Sequence, residues 1–431
     1  MLVEVVTSAI AAGISGWATL NVRGSTNDCK KIAQILYNAG LVDKDSGKAR
    51  PLRPLRKSKR NYGTEYAYKF PMGYSFKEFE KKRDAIQDGL NSRSFIDART
   101  FLRELVKLRL NGKFVADLRQ LLKQKEGGRK TVELDFNGAL VVRVYEQDMP
   151  ILLEFKREFF DSLRGWEVLV GATHKSVIKH DFDANTHLIV AGTSGGGKSV
   201  FLKSVITTLV TRKPSDANLY LIDLKGGLAF NRFRKLPNVR GLAKNPTEAL
   251  EQLAIVQAKM NERIDYLLAH GYEDVKEAGF SERYFVIIDE AADIAPCDEC
   301  TSIIEDIARR GRAAGFTLIY CTQYATNAVL SSQVRQNVSA QLCFRLRTEI
   351  ASRAVIDEGG AEKLPLVKGR AIYRNDLKTI VQTPYMSNKF IDETIAPLIN
   401  IRARKEEKSS ETNETTTRRT DSLIITETRL S

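Results

Sequence analysis

The sequence predicts an α/β fold built on a mostly parallel β-sheet. From about residue 165 onward, short apolar runs rich in Val, Ile and Leu alternate with longer helical patterns. Such runs are typical of strands that are buried on both faces, and the helices between them connect parallel neighbours. One of these strands leads directly into the glycine-rich stretch GTSGGGKS at residues 192–199, which opens a helix.

The first segment, residues 5–22, contains 18 residues and no charged side chain. That length is just enough to cross a bilayer, and its small residues suit helix–helix contact in lipid. Arg23, Lys30 and Lys31 follow it, and basic residues of this kind mark the cytoplasmic side. We predict a single-pass membrane anchor at residues 1–22. The alternative is a helix buried in protein, in a cytoplasmic chain.

Positive charge is concentrated in the first third of the chain. Residues 1–150 hold 28 Lys and Arg against 17 Asp and Glu, a net +11, whereas residues 151–431 hold 39 against 36, a net +3. The stretch 46–60, SGKARPLRPLRKSKR, has seven basic residues and no acid. Its composition predicts a basic linker over residues 23–61 that contacts DNA or anionic lipid. A solvated basic face is the alternative.

A small α/β domain is predicted over residues 62–150. The alternation of residues 64–70 indicates a half-buried strand, and helical spacing indicates helices at 75–90 and within 97–125. Asn137-Gly138 lies between two apolar runs, which predicts a β-hairpin.

The parallel-sheet domain is predicted over residues 151–400. Residues 401–431 are rich in Thr, Glu and Arg and have little to bury, so we predict a disordered tail. The predicted strands are 187–191, 218–223, 284–289, 316–321 and 341–346, and the predicted helices are 198–211, 246–269, 301–311 and 349–357.

The five cysteines argue against a disulfide scaffold in a chain of 431 residues. Cys297 and Cys300 form a lone CxxC, without the second pair or the nearby histidines that a zinc site needs. Cys321 and Cys343 are expected to be small buried hydrophobic residues in strands.

The glycine-rich stretch is predicted to hold nucleotide phosphates, because it follows a strand and opens a helix. Its backbone N–H groups and the helix N-terminus attract anions. Lys198 would reach the β- and γ-phosphates, and Ser199 would ligate Mg²⁺. A glycine-rich turn without a ligand is the alternative. The predicted nucleotide-binding residues are Gly192, Thr193, Ser194, Gly195, Gly196, Gly197, Lys198 and Ser199.

Two further polar positions follow apolar strands. The strand YFVII ends in Asp289 and Glu290. Asp289 would hold Mg²⁺ through water, and Glu290 would orient and polarise the attacking water. Gln323 ends the next strand and would sense the γ-phosphate or its water, with a helix- or turn-capping role as the alternative. Together these residues predict an ATPase of the kind that drives motors.

These motifs resemble the motor domain of FtsK/SpoIIIE-type DNA translocases. The resemblance covers about residues 62–375 and implies a RecA-like P-loop ATPase that binds ATP and Mg²⁺. It also implies a ring, usually a hexamer, that moves double-stranded DNA through its centre. The sequences that carry it are GTSGGGKSVFLKSVI, LIDLKGG (221–227), FVIIDEAADI (285–294), ARRGRAAGFTLIYCTQ (308–323) and IDEGGAEKL (356–364).

The resemblance places ATP between subunits, so a neighbouring subunit must supply an arginine to the phosphates. Arg353 and Arg312 are the two candidates, and for each the alternative is a structural salt bridge. Arg312 lies within the segment 308–323 that resembles the family, and Arg353 lies just before the segment 356–364.

The sequence departs from the family pattern in three places. Residues 90–130 look like an insertion, and Tyr324-Ala325-Thr326 stands where the family has Arg-Pro-Ser. Beyond residue 400 nothing resembles the DNA-reading winged-helix module, and the large multi-span membrane domain is absent. A short anchor with one motor resembles the translocases of conjugative elements and plasmids, whose expected partners are relaxase or secretion-channel proteins.

The predicted function is therefore ATP-driven DNA translocation by a ring tethered to the bacterial cell membrane, with its motor in the cytoplasm. A protein-secretion ATPase is one alternative, although related secretion motors usually occur in tandem and this chain has one P-loop. A soluble ATPase that binds DNA without moving it is another.

Overall fold

The computed structural model describes residues 28–45, 48–91, 130–146, 148–326 and 329–399. The predicted anchor at 1–22, the predicted helices within 97–125 and the predicted tail at 401–431 lie outside the described residues. The chain divides into two compact units, Met1–Met149 and Pro150–Ser431. Over the described ranges, none of the helices combines the length and the apolar character that a bilayer span requires.

The first unit is a four-stranded antiparallel sheet with helices packed on one face. Its strands follow the order β3-β4-β6-β5. The predicted hairpin is confirmed, since Phe136 pairs with Leu140 across a turn in which Gly138 has a φ of 87°. The elements of this unit are α1 (Asp28–Asn38), β1 (Asp43–Asp45), β2 (Lys48–Arg50), β3 (Pro54–Arg60), β4 (Gly63–Tyr68), α2 (Phe76–Glu80), α3 (Arg83–Asn91), β5 (Thr131–Phe136) and β6 (Leu140–Tyr145).

The structure corrects the basic linker expected over residues 23–61. Helix α1 lies in this range and buries Ile32 and Leu36 in the same core as Tyr68 of β4. Strand β3 covers the second half of the basic stretch and forms an edge of the sheet, with its Lys and Arg side chains exposed. Proteins place Lys, Arg and Pro on edge strands because these residues discourage pairing with other chains. The composition that indicates a linker is therefore also that of an edge strand.

The second unit contains the longer strand–helix alternation. Its strands are β7 (Leu153–Glu154), β8 (Glu167–Ala172), β9 (Val177–Asp181), β10 (Leu188–Ala191), β11 (Ala217–Ile222), β12 (Val239–Ala243), β13 (Arg283–Ile288), β14 (Phe316–Thr322), β15 (Ala340–Phe344), β16 (Arg370–Arg374), β17 (Lys378–Gln382) and β18 (Pro384–Tyr385). Its α-helices are α4 (Arg157–Ser162), α5 (Lys198–Arg212), α6 (Pro246–His270), α7 (Asp298–Ala314), α8 (Ser332–Asn337), α9 (Glu349–Ile356) and α10 (388–399).

Ten of these strands form one sheet in the order β12-β11-β13-β14-β10-β15-β16-β17-β8-β9. The predicted parallel sheet is confirmed from β12 to β15, where every pairing is parallel. The other four strands join antiparallel, so the whole sheet is mixed. Antiparallel neighbours need only a short turn, whereas parallel neighbours need a long crossover. Helix–strand alternation therefore predicts only the parallel part.

Both faces of the parallel part are buried, as the apolar runs predict. Successive residues of β10 belong to different cores: Leu188 and Val190 pack on one face, and Ile189 and Ala191 pack on the other. Alternation of side chains across a strand explains why such a strand is apolar at every position. The carboxyl ends of β10, β14, β13 and β11 consequently meet along one buried edge of the sheet, where polar residues can be held rigidly.

The CxxC pair has a structural role. Helix α7 begins at Asp298, three residues earlier than predicted, because the Cys297 sulfur accepts a hydrogen bond from the Cys300 N–H and caps the helix. Burial, followed by the contact with Cys297, raises the pKa of the Cys300 thiol. No cluster of three or more metal-ligating side chains occurs in the described part of the chain. Cys321 and Cys343 are buried in strands, as predicted.

Candidate nucleotide-binding site

The glycine-rich loop leaves the carboxyl end of β10, in the middle of the sheet, and leads into α5. Two of its glycines are required by geometry. Gly192 has a φ of 154°, and a Cβ there would lie 2.5 Å from the Cβ of Phe344. Gly197 has a φ of 125°, and its Cβ would lie 3.3 Å from the Cα of Gly369. The loop can follow this path only because side chains are missing at both positions.

Backbone hydrogen bonds from neighbouring strands fix the loop. The Thr193 N–H donates to the Arg345 carbonyl at 3.1 Å, and the Gly369 N–H donates to the Gly196 carbonyl at 2.9 Å. Phe344, Arg345 and Gly369 therefore support the phosphate loop from β15 and from the start of β16. The sequence motifs do not single out these three residues, since their contacts arise only from strand order.

Lys198 opens α5 and folds back over the loop. Its ammonium donates to the carbonyl of Gly192 at 2.6 Å and to that of Thr193 at 3.1 Å. The side chain is buried, and burial lowers its pKa from the ordinary value for lysine. The ammonium contacts only neutral carbonyls directly, so a phosphate would supply an opposite charge in direct contact with it.

The structure brings Ser199 and Asp289 together. The Ser199 hydroxyl donates to the Asp289 carboxylate at 3.2 Å. Burial, and then the negative charge of Asp223, raises the pKa of Asp289. Two side-chain oxygens next to a phosphate loop suit Mg²⁺ as ligands, because this ion usually takes one or two protein oxygens together with phosphates and waters. The like charges of Asp289 and Asp223 make the same position favourable for a cation.

Glu290 is only 2% exposed and is held at both carboxylate oxygens. One oxygen accepts from the Thr322 hydroxyl and from the Gln323 N–H, each at 3.1 Å. The other lies 3.1 Å from the ammonium of Lys225. The structure thus joins Gln323 to Glu290 through its backbone N–H. The sensing role expected for its side chain stays a prediction.

Asp223 and Lys225 also lie at this candidate site, although the sequence motifs predict no role for them. Asp223 ends the apolar strand β11, as Asp289 follows β13, and it is 1% exposed. Its carboxylate accepts from the N–H groups of Lys225 and Ala229 at 3.2 and 2.7 Å. An aspartate after an apolar strand next to the DE strand is a signal that could have identified it, because parallel strands end at one edge.

The two candidate arginines lie apart from each other. Arg353 is on α9, is 64% exposed, and pairs with Glu349 at 2.7 Å. Arg312 is exposed near the end of α7 and lines a small cavity with Asp183 and Arg283. That cavity lies at the amino ends of β13 and β14, whereas the phosphate loop lies at the carboxyl edge. For both arginines, the role toward a neighbouring subunit stays a prediction.

The fold and the site define a P-loop ATPase. Residues 164–284 match the model of the FtsK/SpoIIIE family. The match includes the phosphate loop and the segment with Asp223 and Lys225. The chain therefore contains an FtsK/SpoIIIE family domain, which confirms the resemblance.

Curated relatives agree with this assignment. The chain is 30% identical over 243 residues to the DNA translocase FtsK of Listeria monocytogenes, covering 51% of the chain and 32% of that protein. It is 31% identical over 220 residues to the DNA translocase FtsK of Streptomyces coelicolor, covering 46% of the chain and 24% of that protein. The chain thus spans a third or less of the length of these relatives.

Solved structures share the fold at low sequence identity. The pCW3 conjugation coupling protein TcpA, in its monomer form with ATPgS, superposes with a TM-score of 0.56 at 20% identity, covering 86% of this chain and 99% of that chain. EssC (ATPases 2 and 3) from Geobacillus thermodenitrificans superposes with a TM-score of 0.52 at 14% identity, covering 60% and 53%. These similarities establish the fold alone.

Proposed function

We propose that the chain is an ATP-driven DNA translocase. The observation that carries the proposal is the arrangement at the carboxyl edge of the sheet, in a domain of the FtsK/SpoIIIE family. The phosphate loop, the Ser199–Asp289 contact and the buried Glu290 lie on neighbouring strands there. The relatives named as DNA translocases support DNA as the substrate that is moved.

Each side chain has a distinct task in the proposed reaction. Lys198 exchanges the carbonyl oxygens of Gly192 and Thr193 for phosphate oxygens. Ser199 and Asp289 hold Mg²⁺, which when bound offsets the negative charge of the phosphates. Glu290 accepts a proton from the attacking water, and its fixed carboxylate orients that water toward the γ-phosphate. The geometry suits hydrolysis because the base is held by the sheet and not by a loop alone.

The finer proposal is a homo-oligomeric ring, hexameric by family resemblance, in which a neighbour's Arg353 or Arg312 reaches the phosphates. Residues 151–400 form the motor domain, residues 1–22 anchor it to the bacterial cell membrane, and residues 401–431 form a tail. Conjugative transfer, with relaxase or secretion-channel partners, is the proposed setting. Membrane fractionation of cells that express the full chain or a variant without residues 1–22 tests the anchor. If both proteins divide between the membrane and soluble fractions in the same way, the anchor proposal is wrong.

DNA should stimulate ATP hydrolysis by the full chain, and duplexes of unrelated sequence should do so nearly equally. A translocase has to pass any sequence, so its contacts go mainly to phosphates, which carry no sequence information. Each neutralised phosphate releases counterions, so the stimulation should fall steeply between about 50 and 200 mM salt. Steady-state ATPase rates across a salt series measure both effects.

The same measurement separates the translocase from the secretion alternative. If DNA of every form leaves the rate unchanged, the translocase proposal fails, and a protein-secretion ATPase becomes the better hypothesis. An ATPase that only binds DNA would also be stimulated, so an assay of DNA movement distinguishes it from a translocase.

The basic edge strand β3 should contribute to DNA affinity. Lys57, Lys59 and Arg60 are exposed on it. Changing all three to Gln should weaken binding alike for every sequence and make the slope of log affinity against log salt shallower, by up to about 0.9 for each lost contact. Fluorescence anisotropy with labelled duplexes measures the slope.

A matched control changes Lys77, Lys81 and Lys82 of the same unit to Gln, which removes the same charge away from β3. We expect the control to retain the wild-type slope. If the β3 variant keeps its DNA affinity but binds anionic vesicles more weakly, the strand serves the membrane instead.

A further inference from the structure

Glu290 is oriented by donors on two separate elements. Thr322 and the Gln323 N–H hold one carboxylate oxygen from the end of β14. Lys225 holds the other oxygen from the loop that follows β11. A carboxylate fixed at one oxygen can still rotate about that contact, whereas contacts at both oxygens define a single orientation. The direction of the second oxygen therefore depends on Lys225.

These donors differ in how firmly they are placed. Thr322 is fully buried in the central part of the sheet. The Lys225 side chain is 48% exposed, while the Glu290 side chain that it contacts is 3% exposed. Lys225 thus reaches from the surface to a buried base. It can be replaced without opening the core of the sheet.

The buried Asp223 carboxylate fixes the backbone of the loop that carries Lys225. The Asp223 carboxylate accepts from the backbone N–H groups of Lys225 and Ala229. Gly226 and Gly227 follow with φ values of 85° and 76°, a conformation that other residues rarely adopt. These contacts and glycine conformations hold the backbone at Lys225 so that its half-exposed side chain reaches Glu290.

The charges of the site support a specific pairing. Lys198 donates to carbonyl oxygens and Asp289 accepts from Ser199, so these two groups already have their own partners. Burial alone would lower the pKa of Lys225, yet the hydrogen bond and charge of Glu290 raise it. Lys225 and Glu290 therefore form an ion pair at this edge of the sheet.

We propose that Lys225 is a positioning residue for hydrolysis, which acts by fixing the orientation of the Glu290 carboxylate toward the attacking water. This inference rests on the proposed role of Glu290 as the base. In this role Lys225 acts on hydrolysis through its ion pair with Glu290. Its loss should slow turnover and leave nucleotide affinity unchanged.

The test compares Lys225→Met and Lys225→Arg with a matched control, Lys244→Met. Lys244 is exposed and borders the same loop at Gly227, but no hydrogen bond joins it to Glu290. We expect Lys225→Met to lower kcat about 10-fold or more, a part of the usual contribution of a general base. Its affinity for a non-hydrolysable ATP analogue should stay within about 2-fold of wild type. Lys225→Arg should recover most of the rate, and Lys244→Met should resemble wild type.

A double-mutant cycle with Glu290→Gln completes the experiment. Because residues that act as a unit are non-additive, Lys225→Met should slow hydrolysis no further once Glu290 is Gln. The inference is overturned if Lys225→Met keeps the wild-type kcat, if it weakens analogue binding as much as kcat, or if Arg does not rescue. If Glu290→Gln alone retains turnover, the proposed base is wrong instead. Circular dichroism and thermal melting of each variant identify any that fails to fold.

Discussion

Glu290→Gln should slow ATP hydrolysis at least ~100-fold, on the scale of a removed general base, while ATP should still bind. The amide has nearly the same shape as the carboxylate and still accepts from Thr322 and the Gln323 N–H through its oxygen. It cannot take a proton from water. Single-turnover hydrolysis gives the chemical rate, and equilibrium binding of a fluorescent ATP analogue gives the affinity.

Glu299→Gln provides the matched control, since it makes the same change on an exposed residue of α7. We expect the control to hydrolyse ATP at the wild-type rate. Near-normal turnover in Glu290→Gln would show that another group activates the water, and the assignment of the base would then be wrong.

We expect Lys198→Ala to abolish most of the nucleotide binding. The ammonium is buried at the phosphate loop, and its removal takes away the positive charge at that point. Truncating one member of a buried charged pair typically costs about 2 kcal/mol or more, which corresponds to a loss of affinity of about 30-fold or more. Isothermal titration with a non-hydrolysable ATP analogue measures this loss directly.

Lys213→Ala is the control for that change, because Lys213 caps the opposite end of α5 and contacts Trp166. It should bind the analogue as wild type does. Equal affinity in Lys198→Ala and wild type would contradict the proposed phosphate contact. A lower melting temperature without a change in affinity would assign Lys198 a structural role only.

The parallel part of the sheet was predictable because its signal is local. Strand β11 is buried at every position, and helix α6 begins at Pro246 and ends at His270, with Gly271 as its C-cap. The antiparallel strands β16 and β17 carry no such alternation with helices. The edge strand β3 was not predicted for a different reason. An exposed edge strand rich in Lys and Arg has the same composition as a basic linker.

The candidate site divides in the same way. Residues Lys198, Ser199, Asp289 and Glu290 belong to motifs whose spacing has a chemical meaning, so the sequence alone predicts them as candidates. Lys225 contacts Glu290, although the two residues are 65 positions apart in the sequence. That contact exists because β11 and β13 are neighbours, and strand order is not contained in either motif. Supporting contacts from β15 and β16 were missed for the same reason.

Movement along DNA is the central claim, and displacement of a bound oligonucleotide tests it most directly. A third strand is annealed as a triplex at one end of a linear duplex, and its release is followed over time with the full chain and ATP. We predict rapid release by the wild type, no release with a non-hydrolysable analogue, and no release by Glu290→Gln. If the wild type hydrolyses ATP in response to DNA and the third strand stays bound, the chain is not a translocase.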